Sequence, residues 1–414
     1  MPKTSKIYLD NAATTKIDKK VFEAMEPYLQ EDFGNASSLH YFGEKAHEAI
    51  SKARNQVADF LGCSALEVFF TGSATESDNL AIFGVVRSAK KKGIVKPHII
   101  TCSIEHPAVL EPIKHLEKNG EIEATYLPVD KEGIINIHEL AENIRENTVL
   151  VSIMYANNEI GTIEPIAHIA QLIGNLRNTQ SKNLNFKQSQ NANFQNSKQY
   201  PIFHCDAVQA ANYLDCNVEK LGVDLLTLSA HKIYGPKGVG VLYKKNGIDI
   251  EPFVLGGHQE RGLRAGTENV PAIVGMGAAV EQIQHEKRQA ASLLKLRDKL
   301  LEGILKTIPH THLNGSRKNR LPNNVNISFE GAEGESILMA LNEKGVAVST
   351  GSACSSGNLT PSHVLMALGI GVERAHSAIR FTLGKYNTEK EIDYVLKVLP
   401  DIIYRLRKIS GRFS

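Results

Sequence analysis

The sequence lacks the features that would place the protein outside the cell or in a membrane. Its five cysteines include no Cys-x-x-Cys pair, which argues against a disulfide framework and against a zinc site built from thiolates. Stretches rich in apolar residues, such as 149–154, are far too short to span a bilayer. Residues 1–6 lead into a short strand and contain no apolar core of a signal peptide. We therefore expect a soluble, cytoplasmic protein.

The chain also has almost no excess charge of either sign. Its 47 lysines and arginines face 45 aspartates and glutamates, so the net charge is +2. No overall field attracts it to nucleic acid or to an anionic membrane, and neither is expected as a partner. With 414 residues and 42% hydrophobic residues, the chain is long enough for one large domain and a smaller companion.

Short apolar runs alternate with longer helical stretches from about residue 65 to residue 245. This alternation predicts an α/β fold with a mostly parallel, doubly wound sheet. Ligands of such sheets bind beyond the carboxyl ends of the strands, where the unusual residues of this sequence fall. The strands are predicted at 67–71, 98–102, 122–127, 148–154, 202–205, 225–228 and 239–243.

A second, smaller α+β unit is predicted after a long helical stretch at 269–308. We place the large domain at 16–288 and form the small domain from 1–15 together with 289–414. Residues 175–200 are mostly Asn, Gln, Ser and Lys, a composition that cannot bury a core. They are predicted to form a mobile surface insertion in the large domain.

The segment around Lys232 is the strongest candidate for chemistry. The lysine follows the apolar strand 225–228, stands next to His231 and precedes a glycine-rich turn. A lysine in such a position can be partly desolvated and act as a Schiff-base nucleophile. The alternative is an ordinary surface lysine in a turn.

Three further groups fall after predicted strands. Asp206 ends the strand at 202–205 and could keep a pyridinium nitrogen protonated, although it could equally cap the next helix. The turn 71–77 opens a helix with small residues that could hold a phosphate, or simply cap that helix. His106 could stack on a cofactor ring or be an ordinary loop histidine.

Cys354 has a different setting from the other four cysteines. It lies within residues 349–357, a run of Ser, Thr, Gly and Ala that predicts a flexible loop carrying the thiol outward. The other cysteines stand among apolar neighbours and are most simply small core residues. A buried structural thiol is the alternative for Cys354.

Taken in order, these segments resemble the cysteine desulfurases that depend on pyridoxal 5'-phosphate (PLP), within the class V aminotransferases. The resemblance runs from residue 7 to about 408, apart from the 175–200 insertion, and implies the PLP fold-type I architecture. The cysteine loop resembles the longer type found in the nitrogen-fixation and iron–sulfur-assembly enzymes. The matching segments are 8–15, 34–40, 74–77, 105–107, 156–162, 229–232, 262–269 and 349–354.

The resemblance implies a role for each matching residue. Lys232 would bind PLP covalently and move the Cα proton, Cys354 would take the sulfur, and His106 would stack on the ring and transfer protons. Asn35, Asn157 and Arg380 would bind the substrate, although an ion pair is the structural alternative for Arg380. Thr267 would reach the phosphate of a neighbouring subunit, which implies a homodimer. The cofactor-binding residues implied are Ala74, Thr75, His106, Asn157, Asp206, Gln209, Ser229, His231, Lys232 and Thr267.

The activity implied is conversion of L-cysteine to L-alanine, with the sulfur passed as a persulfide to an iron–sulfur scaffold protein or another acceptor. No stable metal site is expected, although Cys354 could transiently ligate an iron–sulfur cluster shared with a scaffold. The other readings are a class V PLP aminotransferase, a selenocysteine lyase, or a non-catalytic protein that kept the fold. The sequence departs from the family at Gly72-Ser73 and at Ala36, and it offers no role for Cys205.

Overall fold

The computed structural model describes residues 6–187, 199–285, 289–350 and 360–411. The strands are β1 (Ile7–Tyr8), β2 (Val68–Thr71), β3 (His98–Cys102), β4 (Glu123–Leu127), β5 (Thr148–Ser152), β6 (Ile202–Asp206), β7 (Leu225–Ser229), β8 (Gly240–Lys244), β9 (Thr311–Leu313), β10 (Asn324–Phe329), β11 (Val346–Ala347) and β12 (Ala378–Thr382).

The helices lie mainly between and around these strands. They are α1 (Lys19–Met25), α2 (Pro27–Gln30), α3 (Tyr41–Leu61), α4 (Ala74–Lys91), α5 (Pro107–Lys118), α6 (Ile137–Asn143), α7 (Ile166–Lys187), α8 (Val218–Leu221), α9 (Val270–His285), α10 (Gln289–Thr307), α11 (Gly334–Glu343), α12 (His363–Ala367), α13 (Val372–His376) and α14 (Glu389–Ser410). No helix of the described residues is long and apolar enough to cross a membrane.

The large sheet has seven strands in the order β2-β8-β7-β6-β5-β3-β4. Strands β4, β3, β5, β6 and β7 run parallel, whereas β8 is antiparallel to both of its neighbours. Every residue of β3, β5, β6 and β7 is buried, as expected for parallel strands covered by helices on both faces. The predicted α/β class and mostly parallel sheet are confirmed.

A second apolar core contains residues from both ends of the chain. Strand β1 pairs in parallel with β11, and β12, β10 and β9 form a three-stranded antiparallel sheet. Ile7 and Leu9 are buried in the same cluster as Leu300, Phe329 and Phe381. This shared core supports the division of the chain into 16–288 and 1–15 with 289–414, which stays a prediction.

Three segments differ from the sequence-based expectation. Helix α3 was not predicted; it ends at Gly62, whose φ of 66° is the left-handed conformation favoured for glycine after a helix. The stretch 269–308 contains two helices, α9 and α10. Helix α7 continues to Lys187, so the first half of the predicted insertion is helical, and residues 188–198 lie outside the described part of the chain.

Candidate active site

A cavity of about 850 Å³ opens beyond the carboxyl ends of the parallel strands. It collects residues from segments 12–14, 73–75, 206–209, 229–232 and 360–363, which are far apart in the chain. The sequence-predicted residues that line it are Ala74, Thr75, His106, Asp206, Gln209, Ser229, His231, Lys232 and Arg380.

Lys232 enters the cavity from the turn that follows β7. Its Nζ atom donates hydrogen bonds to the carbonyls of Ala12 and Ala13, at 2.6 and 2.7 Å. Two residues later, Tyr234 has a φ of 63°. This left-handed conformation is unfavourable for any residue that has a side chain. Thr15 Oγ1 accepts the Tyr234 amide hydrogen at 2.8 Å. The N-terminal segment therefore holds both the lysine amine and its turn in place.

Asp206 ends β6 and lies on the same wall of the cavity. Its Oδ1 accepts the Val208 amide hydrogen at 2.9 Å. Burial raises the pKa of Asp206 to about 6, while the Val208 hydrogen bond and the charge of Lys232 act in the opposite direction. Asp206 is the carboxyl that can carry a negative charge here, because it has a donor and a cation at hand.

A second carboxyl, Asp78 of α4, stands close to Asp206. Burial and the charge of Asp206 raise the pKa of Asp78 well above its usual value. His204 Nε2 lies 3.5 Å from Asp78 Oδ1, but burial lowers the pKa of that histidine to about 3, so the ring is neutral. Two neighbouring buried carboxyls resist ionising together, so we expect Asp78 to hold the proton.

His106 faces the cavity from the N-cap position of α5. Its Nδ1 accepts the Ala108 amide hydrogen at 3.1 Å, so the neutral ring carries its proton on Nε2. Burial, followed by the charges of Lys232 and His363, lowers the pKa of His106 to about 4. The ring is thus uncharged near neutral pH and can stack, donate and accept without adding charge.

The turn before α4 closes directly onto β8. Ser73 caps the helix, and its Oγ accepts the Glu76 amide hydrogen at 3.1 Å. A Cβ atom on Gly240 would lie 2.4 Å from the carbonyl carbon of Ser73, so glycine is required for this close approach. The first amides of α4, at Ala74 and Thr75, lack intrahelical acceptors and suit an anion such as a phosphate.

Arg380 of β12 closes the opposite side of the cavity. Its Nη2 donates to Asp10 Oδ1 at 2.9 Å and its Nη1 to the Asn158 carbonyl at 3.0 Å, whereas its buried Nε has no hydrogen-bond partner. The guanidinium is 3% exposed. The ion pair considered from the sequence is therefore present, and it leaves part of the guanidinium available to a ligand.

Four predicted residues are not part of the described lining of this cavity. The amide of Asn157 is occupied, since it donates to Ile104 and accepts from Glu159 and Ile160. Thr267 lines a separate cavity of about 150 Å³, and Asn35 is exposed. Cys354 lies outside the described residues.

The structure also adds residues that the sequence reasoning did not assign. Asp10, Glu159 and His363 stand at or beside the cavity, and Ser362 Oγ lies 2.5 Å from Glu159 Oε2. Glu159 lies in the turn 156–162, well past the end of strand β5, so the strand-end pattern that identified Asp206 does not single it out. Among the described residues, no group of three or more His, Cys, Asp or Glu side chains could hold a metal ion.

Comparisons with known proteins agree over nearly the whole chain. The family model "Aminotransferase class-V" matches residues 7–179 and 191–395. A protein named cysteine desulfurase IscS, from Dictyoglomus turgidum, is 49% identical over 406 residues, which are 98% of this chain and 96% of the relative.

Solved structures also resemble this chain over nearly its whole length. A NifS-like protein is 39% identical with a TM-score of 0.85 and covers 97% of this chain and 100% of its own. A structure described as SspA in complex with cysteine is 35% identical with a TM-score of 0.76, over 93% of this chain and 100% of its own. The gap between the two matched stretches, residues 180–190, falls inside the predicted insertion.

Proposed function

Because the chain belongs to the class-V aminotransferase family and is a cysteine desulfurase, we propose that it converts L-cysteine to L-alanine and passes the sulfur to Cys354 as a persulfide. The observation that carries this proposal is the convergence of Lys232, Asp206, His106 and Arg380 on one cavity. Together they supply an amine, a carboxylate, a neutral imidazole and a carboxylate-binding guanidinium. The persulfide would serve iron–sulfur cluster assembly and other sulfur acceptors.

The residues present fit PLP as the cofactor. Lys232 offers an amine for covalent attachment, and Asp206 offers a buried carboxylate for the ring nitrogen. The amides at the start of α4, with Ser229 and His231 at the end of β7, form the phosphate end of the cavity. Bound there, PLP supplies an electron sink that stabilises the charge left on Cα when its proton departs.

The side chains of this chain do the remaining work. The guanidinium of Arg380 binds the α-carboxylate of the amino acid and fixes its orientation. With the cofactor and substrate bound, the Lys232 amine would remove the Cα proton and return it. His106 presents a neutral ring in the same cavity, and its Nε2–H can donate a hydrogen bond there. Gln209, whose Nε2 donates to the Ala12 carbonyl at 3.1 Å, lines the cofactor pocket.

The sulfur transfer itself falls to Cys354. Its thiolate attacks the substrate sulfur, so that an S–S bond forms as the Cβ–S bond breaks. The electron pair of the broken bond stays on the carbon skeleton, which takes up a proton and leaves as alanine. The small residues flanking Cys354 in the sequence support a loop that can reach the cavity and then an outside acceptor.

We also propose that the active enzyme is a homodimer. Large side chains are exposed around the start of α3: Leu39 is 96% exposed, Phe33 68% and Tyr41 61%. Such a group of exposed apolar side chains suits a subunit interface. Thr267 lies outside the cavity of its own chain, which supports its assignment to the phosphate of the neighbouring subunit. We place the enzyme in the cytoplasm, with a scaffold protein as its sulfur acceptor.

The test is a product analysis with L-cysteine and a reductant. We expect alanine and sulfide in equal amounts, with catalytic turnover. Incubation with pyruvate and an amino donor is the control, because an aminotransferase would consume the keto acid and release no sulfide. Keto-acid consumption without sulfide would favour the aminotransferase, and a preference for selenocysteine would favour a selenocysteine lyase.

A further inference from the structure

Glu159 occupies a buried place in the cavity wall that the reaction described above does not use. Its backbone is fixed on both sides, since its amide donates to Asn157 Oδ1 at 2.8 Å and its carbonyl accepts from the Nδ2 atoms of Asn324 and Asn326 at 3.0 and 3.1 Å. The residue is 5% exposed, and it lines the same cavity as Arg380. The turn therefore holds the Glu159 backbone in a fixed position at the cavity wall.

Among the described residues, Arg380 is the cation whose charge acts on the Glu159 carboxyl, and Asp10 already pairs with that cation at 2.9 Å. The third neighbour is the hydroxyl of Ser362, at 2.5 Å from Glu159 Oε2. An ionised Glu159 would give this group of side chains a net charge of −1, because one guanidinium would face two carboxylates. A substrate carboxylate would then be the third anion beside a single cation.

We propose that Glu159 controls binding of the substrate carboxylate: this corner of the cavity accepts an α-carboxylate when Glu159 carries a proton, and rejects it when Glu159 is ionised. This inference rests on the proposed function, since it takes Arg380 as the site of the α-carboxylate. Glu159 is a positioning residue, because it acts through the charge of Arg380.

The pKa of Glu159 lies close to neutral pH. Burial raises its pKa to about 7, while the Ser362 hydrogen bond and the charge of Arg380 act in the opposite direction. Affinity for a carboxylate ligand should accordingly fall as the pH rises through this range. Loss of the Ser362 hydrogen bond removes a contact that favours the ionised form, so it should move the transition to higher pH.

The experiment compares two ligands that differ in the carboxylate. L-alanine and L-alanine amide are titrated into the cofactor-loaded enzyme, and the change in cofactor absorbance gives each dissociation constant between about pH 5.5 and pH 8. In the wild type, the ratio of the alanine constant to the amide constant should rise with pH, by up to about tenfold per pH unit above the transition. In Glu159→Gln the ratio should stay flat, because the amide side chain keeps the acceptor for Ser362 and cannot ionise.

Two further variants separate this role from a structural one. Ser362→Ala should shift the transition to higher pH, and it keeps the proposal testable if Glu159→Gln does not fold. Glu164→Gln is the matched control: Glu164 is buried, burial raises its pKa to about 8, and it lies outside the cavity lining. Its ratio should follow the wild type.

The possible outcomes test the role of Glu159 separately from the proposed function. A flat ratio in the wild type, or the wild-type transition retained in Glu159→Gln, would overturn the role of Glu159 while leaving the proposed function intact. If neither ligand changes the cofactor absorbance at any pH, the proposed function itself fails.

Discussion

The carboxylate of Asp206 and the amine of Lys232 enter one cavity from the ends of the adjacent parallel strands β6 and β7. They are close enough for the lysine charge to act on the pKa of the aspartate. This relationship places the proposed nucleophile and the proposed partner of the ring nitrogen on the same edge of the sheet. Neighbouring parallel strands deliver their carboxyl ends to one edge, so the fold creates the pairing directly.

Replacement of the lysine should abolish covalent cofactor attachment. We expect Lys232→Ala to lose the borohydride-trapped adduct seen by intact-protein mass spectrometry and to lose about 100-fold or more in kcat. Lys237→Ala is the control, because Lys237 also borders the cavity but is exposed. Retention of the trapped adduct in Lys232→Ala would show that another amine binds the cofactor.

The two buried aspartates should respond differently to the same change. Asp206→Asn removes the negative charge proposed for the ring nitrogen and should lower kcat by about 100-fold, with a shifted cofactor absorbance band. Asp78→Asn should change kcat by less than about threefold, because Asp78 already holds a proton. Equal losses in the two variants would contradict the assignment of the single charge to Asp206.

Glu164 should make stability depend on pH. Burial raises its pKa to about 8, above the unfolded value of about 4.3, so its contribution is fully present below that unfolded value and is lost as the pH rises toward 8. Between about pH 4 and pH 9, the unfolding free energy of the wild type should fall by roughly 2–5 kcal/mol more than that of Glu164→Gln. Urea unfolding of both proteins at both pH values measures this change. The prediction is wrong if the difference in unfolding free energy between the two proteins is the same at both pH values.

The shared phosphate site can be tested by mixing defective subunits. Lys232→Ala and Thr267→Ala subunits, with different affinity tags, are combined and the mixed dimer is purified. If Thr267 serves the partner's site, one of the two sites regains both residues, and the cofactor affinity of that site returns to the wild-type value. If Thr267 serves its own site, neither site of the mixed dimer is restored.

Much of the sheet could be predicted from the sequence because its strands are short, continuous apolar runs that end in polar residues. Strand β3 was predicted with the bounds observed, and β6 and β7 were predicted within one residue. Residues placed at the ends of these strands, such as Asp206 and His231, consequently fall in the cavity. Strand β9 has only three half-buried residues and gave no comparable signal.

Contacts between distant parts of the chain could not be predicted from local sequence patterns. The carbonyls of Ala12 and Ala13 meet Lys232 more than 200 positions away, and Asp10 meets Arg380. The first contact depends on how the N-terminal segment packs against the turn after β7, and the second on how that segment lies beside β12, which no residue spacing reveals. For Asn157, the resemblance implies contact with cofactor and substrate, which stays a prediction; its side-chain amide donates to the Ile104 carbonyl and accepts from the amides of Glu159 and Ile160.

The most direct test of the account is a single-turnover comparison of the wild type with Cys354→Ser, using L-cysteine labelled with radioactive sulfur. The wild type should retain label on Cys354, located by peptide mapping without reductant, and release it as sulfide when reductant is added. Cys354→Ser should keep its cofactor absorbance and bind cysteine, yet retain no label and release no sulfide. Equal sulfide release from both proteins would contradict the persulfide role of Cys354.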